Sequence, residues 1–253
     1  MRIWITRPEP QAEKTQARLQ ALGIVGLSTW CQPVMAIEAL AALDPVQRQS
    51  ILNLDHYHVA IFVSQNAVRF GMDTIDQYWP QLPAGIHWFA IGQATARALA
   101  EHGLMAEAPR AAMDTEELLS SQPLQDLSEQ KVIIFKGVGG RTTLADNLKQ
   151  RGAKVDYCEL YQRRWQEQSV AAVARHDFGL QAGDITLAYS GESAELILKT
   201  LQQAGRQEIL TRPIVVPGQR VAGIAAQLGF ERVITAQNAT DQAMLEALQP
   251  LLT

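Results

Sequence analysis

Apolar positions in this chain fall in short, dense runs, each followed within two residues by glycine, serine or threonine. Such runs occur at Ile3 to Ile5, Val59 to Val63, Trp88 to Ile91, Val132 to Phe135, Ile185 to Tyr189 and Ile214 to Val216. Four or five residues rich in branched and aromatic side chains suit strands buried on both faces. The most informative stretch is Lys131 to Arg164. There Val132 to Phe135 is broken at once by Gly137, Gly139 and Gly140, and Thr142 to Arg151 follows with Leu144 and Leu148 four positions apart. Gly152 supplies the residue that most easily takes the left-handed conformation ending a helix. A further strand spans Ala153 to Tyr161. The pattern predicts a βαβ unit whose glycine loop turns backbone N–H groups, Lys136 and Arg141 toward whatever sits over the sheet edge.

The same logic recurs. Ile3 to Ile5 predicts a strand, Thr6 to Glu9 a loop, Pro10 the first helical turn and Ala12, Leu19 and Leu22 an apolar stripe. Ile3 lies twenty positions before Gly23, as Val132 does before Gly152. Val59 to Val63 delivers Ser64 to a helix start as Ile185 to Tyr189 delivers Ser190. Gly92 and Gly103 are eleven apart, as are Gly218 and Gly229. Thr115 and Thr240 each precede a short apolar helix, with Leu118 and Leu119 in one and Met244, Leu245 and Leu248 in the other. The chain therefore contains two similar α/β units with mainly parallel sheets and binding loops at the carboxyl ends of strands. The extended segments 27–37 and 154–165 read as connectors.

With 253 residues, 47% of them hydrophobic and 19% charged, the chain can form one large or two ordinary domains with real cores. A net charge of -4 argues against bulk attraction to nucleic acid. No apolar run reaches membrane-spanning length and Met1 to Pro8 lacks the form of a signal peptide, so a cytoplasmic protein is expected. Cys31 and Cys158 are too few and too widely spaced for a metal site or disulfide framework, and reduced thiols are expected. His56 and His58 have no ligand partner at suitable spacing and read as surface residues.

The candidate chemistry lies where small, hydroxyl and basic residues follow strands. Arg7, Ser64, Thr95, Gly137, Val138, Gly139, Gly140, Arg141, Ser190, Gly218, Gln219 and Arg220 all occupy such positions, a rim suited to carboxylates or phosphates. Ser64 and Ser190 also serve as helix caps. Tyr161 is a candidate acid at a strand end, or an aromatic packed at an interface. The loop from Gly137 to Thr142 partly matches a dinucleotide fingerprint, with Glu159 at ribose-contact distance, but Thr142 stands where the third glycine belongs. A non-catalytic, hinged sensor of a small acidic metabolite would also satisfy this rim.

At this point the residues resemble a family. Ile5 to Pro8, Ile61 to Ser64 with Asn66, Ala67 and Val68, Ile91 to Ala96, the loop from Gly137 to Arg141 with Leu144, and Leu160 with Tyr161 are together similar to uroporphyrinogen-III synthases, along the whole chain. The resemblance implies two flavodoxin-like or Rossmann-like α/β domains with parallel sheets, joined by a two-stranded β connector, the first domain being built from both termini. The expected partition is 1–36 with 166–253 for domain one and 37–160 for domain two. It also implies cofactor-free cyclisation of hydroxymethylbilane with loss of water and inversion of ring D, in heme and siroheme biosynthesis. Tyr161 matches the connector tyrosine thought to assist departure of the hydroxyl. That step leaves an azafulvene, which ring D attacks at its substituted carbon to form a spiro intermediate. Ser64, Thr95 and Ser190 match positions lining the family's cleft. The chain departs from the family at Gln219, Arg220 and Val221, where hydroxyl residues are usual, and Arg220 is expected to substitute charge. The eight substrate carboxylates account for an amide-lined rim, and thin connectors predict lobes that reorient on binding. A monomer, without nucleic-acid or membrane partners and in transient contact with hydroxymethylbilane synthase, completes the expectation.

Overall fold

Each apolar run becomes a strand, and glycines or capping hydroxyls mark most of the turns between elements. The computed structural model describes residues 1–109, 115–140 and 142–252. In chain order the elements are β1 (Arg2–Ile5), α1 (Gln11–Ala21), β2 (Ser28–Cys31), β3 (Met35–Ala39), α2 (Pro45–Leu52), β4 (Val59–Phe62), α3 (Gln65–Ile75), β5 (His87–Ala90), α4 (Gln93–Glu101) and α5 (Thr115–Ser120). They continue with β6 (Lys131–Gly137), α6 (Thr143–Gln150), β7 (Lys154–Trp165), α7 (Gln168–Arg175), β8 (Ile185–Leu187), α8 (Gly191–Ala204), β9 (Pro213–Pro217), α9 (Gly218–Gln227), β10 (Arg232–Ala236) and α10 (Asp241–Leu248).

The chain divides into two units, Met1–Ile37 with Arg164–Thr253, and Glu38–Arg163. The first contains a sheet in the order β10-β9-β8-β1-β2, parallel throughout. Strand alternation sends Trp4, Ile214 and Val216 to one face, where they meet Phe178, Ile197 and Leu201, and sends Ile3, Ile5 and Val215 to the other, against Leu19, Met244 and Leu248. Two hydrophobic layers therefore sandwich one sheet, which is why its strands read as nearly continuous apolar runs.

The second unit has the order β3-β7-β6-β4-β5, with β5-β4, β4-β6 and β6-β7 parallel. Val59, Ile61, Val132 and Ile134 face Leu144 and Leu148 of α6. On the other side Phe62 and Phe135 stack with centroids 4.4 Å apart. Gly71 of α3 lies so near that a Cβ there would come within 2.7 Å of the Phe62 ring.

The internal repeat is visible in the strand orders. Reading β9-β8-β1-β2 beside β5-β4-β6-β7 superposes the serine-capped helices α8 and α3 and the pairs β1-α1-β2 and β6-α6-β7. The first unit uses the chain's opening βαβ segment together with its final third, so its elements are a circularly reordered version of those in the second.

Local details refine the pattern read along the chain. Pro10 caps α1 instead of sitting inside its first turn, and Leu22 lies past the helix end, 42% exposed. The segments 27–37 and 154–165, read as connectors, also carry strands of the two sheets. β2 is the edge strand of the first sheet and β7 an interior strand of the second, while β3 is that sheet's edge beside β7. The chain leaves the first unit within β3 and re-enters it near the end of β7.

Two glycine substitutions test this packing. Gly71→Ala forces a methyl into the Phe62 ring and is expected to destabilise by about 1–3 kcal/mol. Gly223→Ala, in α9 with open space around its Cβ, is expected to stabilise by about 0.5–1 kcal/mol. Equilibrium urea unfolding checks both, and equal shifts would contradict the packing described.

Candidate functional site

The site in the second unit begins with a register shift. Along β6 and β7, Phe135 pairs with Cys158 and Lys136 with Glu159, but Gly137 pairs with Tyr161, so Leu160 is the extra residue of a bulge. A bulge re-aims the side chain that follows it. The Val138 N–H then donates to the Tyr161 carbonyl at 2.8 Å, fixing the backbone on both strands.

The bulge presses the Tyr161 ring onto Gly137. A Cβ at residue 137 would lie 2.6 Å from Cε2 and 2.8 Å from Cζ of that ring, closer than real contacts allow, so glycine is required by the approach of the tyrosine. Phe70 of α3 stacks on the ring, with centroids 5.4 Å apart and planes at 27°. Tyr161 is only 3% exposed, yet it lines a pocket of about 440 Å³. Its hydroxyl lies 2.8 Å from Ser64 Oγ.

Ser64 holds that position because it caps α3, its Oγ accepting from the Ala67 N–H at 3.0 Å. That bond uses one lone pair. The Ser64 proton remains for Tyr161, and when it is donated there the phenolic hydrogen is left for a ligand. Beyond the tyrosine the wall is formed by Lys136 and the loop Gly137 to Gly140, in which Gly139 and Gly140 have φ of 74° and 88°. The Gly139 N–H donates to Glu159 Oε1 at 3.3 Å. Lys136 Nζ lies 3.9 Å from the same oxygen and 4.4 Å from the centroid of Tyr157. Burial and the nearby Asp146 and Glu159 carboxylates push the Tyr157 phenol up, so it stays neutral. Apolar Val63, Ile91, Ile134, Leu144 and Ala145 add to the lining, with Thr143 and Arg163.

Thus Ser64, Tyr161 and Gly137, Val138, Gly139 and Gly140 come together in one pocket. Thr95 does not line it and is buried in the first turn of α4. Arg141 lies outside the described residues. The remaining candidates belong to the first unit. Ser190 caps α8 in a capping box with Ser193. The Arg7 guanidinium donates to Asp241 at 2.6 Å and lies over the Tyr189 ring at 4.0 Å, a structural tie to α10. Gly218 has φ of 70° at the start of α9, where Gln219 and Arg220 are exposed. Tyr157 and Phe70 were not read as site residues, whereas Lys136 was read beside the glycine loop. For Lys136 a further signal existed, since the repeat that matches Ile3 with Val132 also matches Arg7 with Lys136.

His56 and His58 are exposed, and among the described residues no cluster of His, Cys, Asp and Glu could hold a metal ion. Burial pushes the Cys158 thiol up to about 12, which keeps it from acting as a nucleophile near neutral pH. No helix among the described residues is long and apolar enough to cross a membrane.

These features define a parallel α/β protein of two related units, with a pocket at the carboxyl ends of strands lined by loop amides, a hydroxyl pair and a buried cation. The family model described as uroporphyrinogen-III synthase HemD matches residues 13–246. The uroporphyrinogen-III synthases of Salmonella typhimurium and Escherichia coli are each 32% identical to the chain, covering 98% of it and 100% of their own length. A uroporphyrinogen III synthase structure from Thermus thermophilus shares the fold with a TM-score of 0.60 at 18% identity, covering 100% of this chain and 98% of that one. Another, from Helicobacter pylori, has a TM-score of 0.60 at 16% identity, covering 99% and 98%. The chain belongs to the uroporphyrinogen-III synthase family.

Gly137→Ala separates this site from a passive turn. Its methyl displaces the Tyr161 ring, and kcat is expected to fall by about tenfold or more while the fold is retained. Gly139→Ala meets no atom but carries a left-handed φ, and is expected to cost about 1–2 kcal/mol of stability with a smaller change in kcat. Steady-state kinetics beside thermal melts distinguish the two.

Proposed function

We propose that the pocket of the second unit is where this enzyme of tetrapyrrole biosynthesis converts hydroxymethylbilane to uroporphyrinogen III. The observation that supports this placement is the Tyr161 hydroxyl, 2.8 Å from Ser64 Oγ beside the glycine loop. Tyr161 donates its proton to the departing hydroxyl, which leaves as water and produces the azafulvene. Ser64 donates to the phenolate oxygen as charge develops there, while the α3 N-terminus behind Ser64 adds favourable electrostatics. Ring D attacks the azafulvene through its substituted α-carbon to form the spiro intermediate, the older bond from that carbon to the methylene on ring C breaks, and the second azafulvene so formed is captured by the free α-carbon of ring D, which leaves ring D inverted. The proton released when the rings regain aromaticity returns to Tyr161, so the acid is regenerated.

The pocket also supplies selectivity. Hydroxymethylbilane closes unaided to the unwanted isomer, so the protein must hold its ends in one geometry while the leaving group departs. The amides of Gly139 and Gly140, the exposed Val138 and the apolar wall position the reacting end. In the first unit, Ser190 and Gly218 with Gln219 and Arg220 offer amides, a hydroxyl and a cation to further carboxylates. Thr95 and Arg141 are retained in the proposed substrate-binding set on the family resemblance. Arg7 is assigned to the Asp241 tie instead. The protein acts as a monomer in the cytoplasm and takes its substrate from hydroxymethylbilane synthase.

Tyr161→Phe keeps the stacked ring and removes the donor. The expected outcome is a loss of about tenfold to a thousandfold in kcat, with a rising fraction of isomer I as unassisted closure competes. An assay coupled from porphobilinogen, with the two uroporphyrin isomers separated after oxidation, reads both. Full rate with pure isomer III would assign Tyr161 to packing alone.

A further inference from the structure

Lys136 is an ammonium set into the pocket wall with its side chain only 10% exposed. Burying such a charge costs several kcal/mol unless it is paired and hydrogen-bonded. Its ion-pair partner, Glu159 Oε1, stands 3.9 Å away, too far to accept a hydrogen bond. The Tyr157 ring at 4.4 Å contributes a cation–π contact. The same Glu159 oxygen also receives the Gly139 N–H at 3.3 Å. An oxygen lying between an ammonium and a glycine amide occupies the environment that a bound carboxylate seeks, and here that place is loosely filled by the protein's own carboxylate.

The repeat provides a comparison inside the molecule. Arg7 stands at the equivalent position of the first unit, at 2.6 Å from Asp241 and 3.4 Å from Thr15 Oγ1, with Tyr189 beneath it at 4.0 Å. That cation is closed off by a short hydrogen bond to its carboxylate. Its counterpart Lys136 is held at longer range, beside Tyr161 and the glycine loop.

We propose that Lys136 and the Gly139 amide together bind one carboxylate of the substrate next to Tyr161, and that Glu159 is an internal surrogate which this carboxylate displaces. The assignment rests on the pocket being the site of hydroxymethylbilane cyclisation. Lys136 is here a specificity-determining residue that fixes which end of the bilane faces the phenol, without taking part in proton transfer.

Kinetics of the full chain with hydroxymethylbilane, alongside thermal melts, test this with Lys136→Met, Lys136→Arg and Glu159→Gln. Lys136→Met is expected to raise KM by about tenfold or more while kcat changes by less than about threefold, and Lys136→Arg to recover most of that loss. Glu159→Gln is expected to lower KM, because a neutral amide competes poorly for the ammonium. A folded Lys136→Met enzyme with unchanged KM, or a Glu159→Gln enzyme whose KM is unchanged or raised, would overturn the proposal. Should Lys136→Met fail to fold, Glu159→Gln still decides. A wild-type chain that does not turn over hydroxymethylbilane would refute the reaction assigned to the pocket. Lys136 would then be judged by binding of uroporphyrin, an octacarboxylate, followed through tryptophan quenching. Weaker binding by Lys136→Met, with Lys136→Arg close to the parent chain, and tighter binding by Glu159→Gln would support the carboxylate site, and binding by all three variants identical to that of the parent would overturn it.

Discussion

The approach of the Tyr161 ring to the backbone at Gly137 is the constraint from which the second unit's site follows. Contact at this range is possible only because residue 137 lacks a Cβ and because the bulge at Leu160 turns the next side chain inward. Once the ring lies there, Phe70 covers one face and Ser64 meets the hydroxyl. Two regions far apart in sequence thereby fix one phenol: the β4–α3 junction through Ser64 and Phe70, and β6 through Gly137. A phenol held in this way needs little reorganisation when charge develops on it, which is what general-acid assistance requires.

The two units show how one architecture serves two purposes. Both place a serine cap at the end of the strand next to the central βαβ pair and a cation at the end of that pair's first strand. In the first unit the cation is Arg7, committed to Asp241 at the start of α10, so it ties the last helix of the unit to its opening strand. In the second it is Lys136, more loosely paired and facing a pocket. A hydrogen-bonded, partly buried ion pair orients structure, whereas an incompletely satisfied one leaves capacity for a ligand.

Much of the fold was legible because strands buried on both faces must be apolar throughout, which makes runs such as Val132 to Phe135 conspicuous. Glycines at left-handed turns, such as Gly152 with φ of 89°, mark where helices stop. The two-fold repeat was legible through glycine and serine spacing alone. The roles of the extended segments were not, since an isolated stretch such as 154–165 reads equally as a connector or as an interior strand until its neighbours are known. Site legibility divides in the same way. Local features, the glycine loop and the Ser64 cap, were readable from adjacent residues. The Ser64–Tyr161 bond and the Arg7–Asp241 pair join residues 97 and 234 positions apart, and no local pattern encodes such contacts. Tyr161 was singled out by family resemblance and by a strand end read at that residue, but β7 runs on to Trp165, and the dependence of Tyr161 on Gly137 and Phe70 emerges only from packing.

The central claim is that Ser64 and Tyr161 act as one unit in proton donation, and a double-mutant cycle on kcat tests it most directly. Ser64→Ala, Tyr161→Phe and the double variant are compared with the parent chain, with melts to account for the lost α3 cap, worth about 1 kcal/mol. If Ser64 works through the phenol, removing it from the Tyr161→Phe enzyme changes kcat by less than about twofold, although the single Ser64→Ala change lowers kcat by about tenfold. Independent, multiplying effects of the two substitutions would contradict the account.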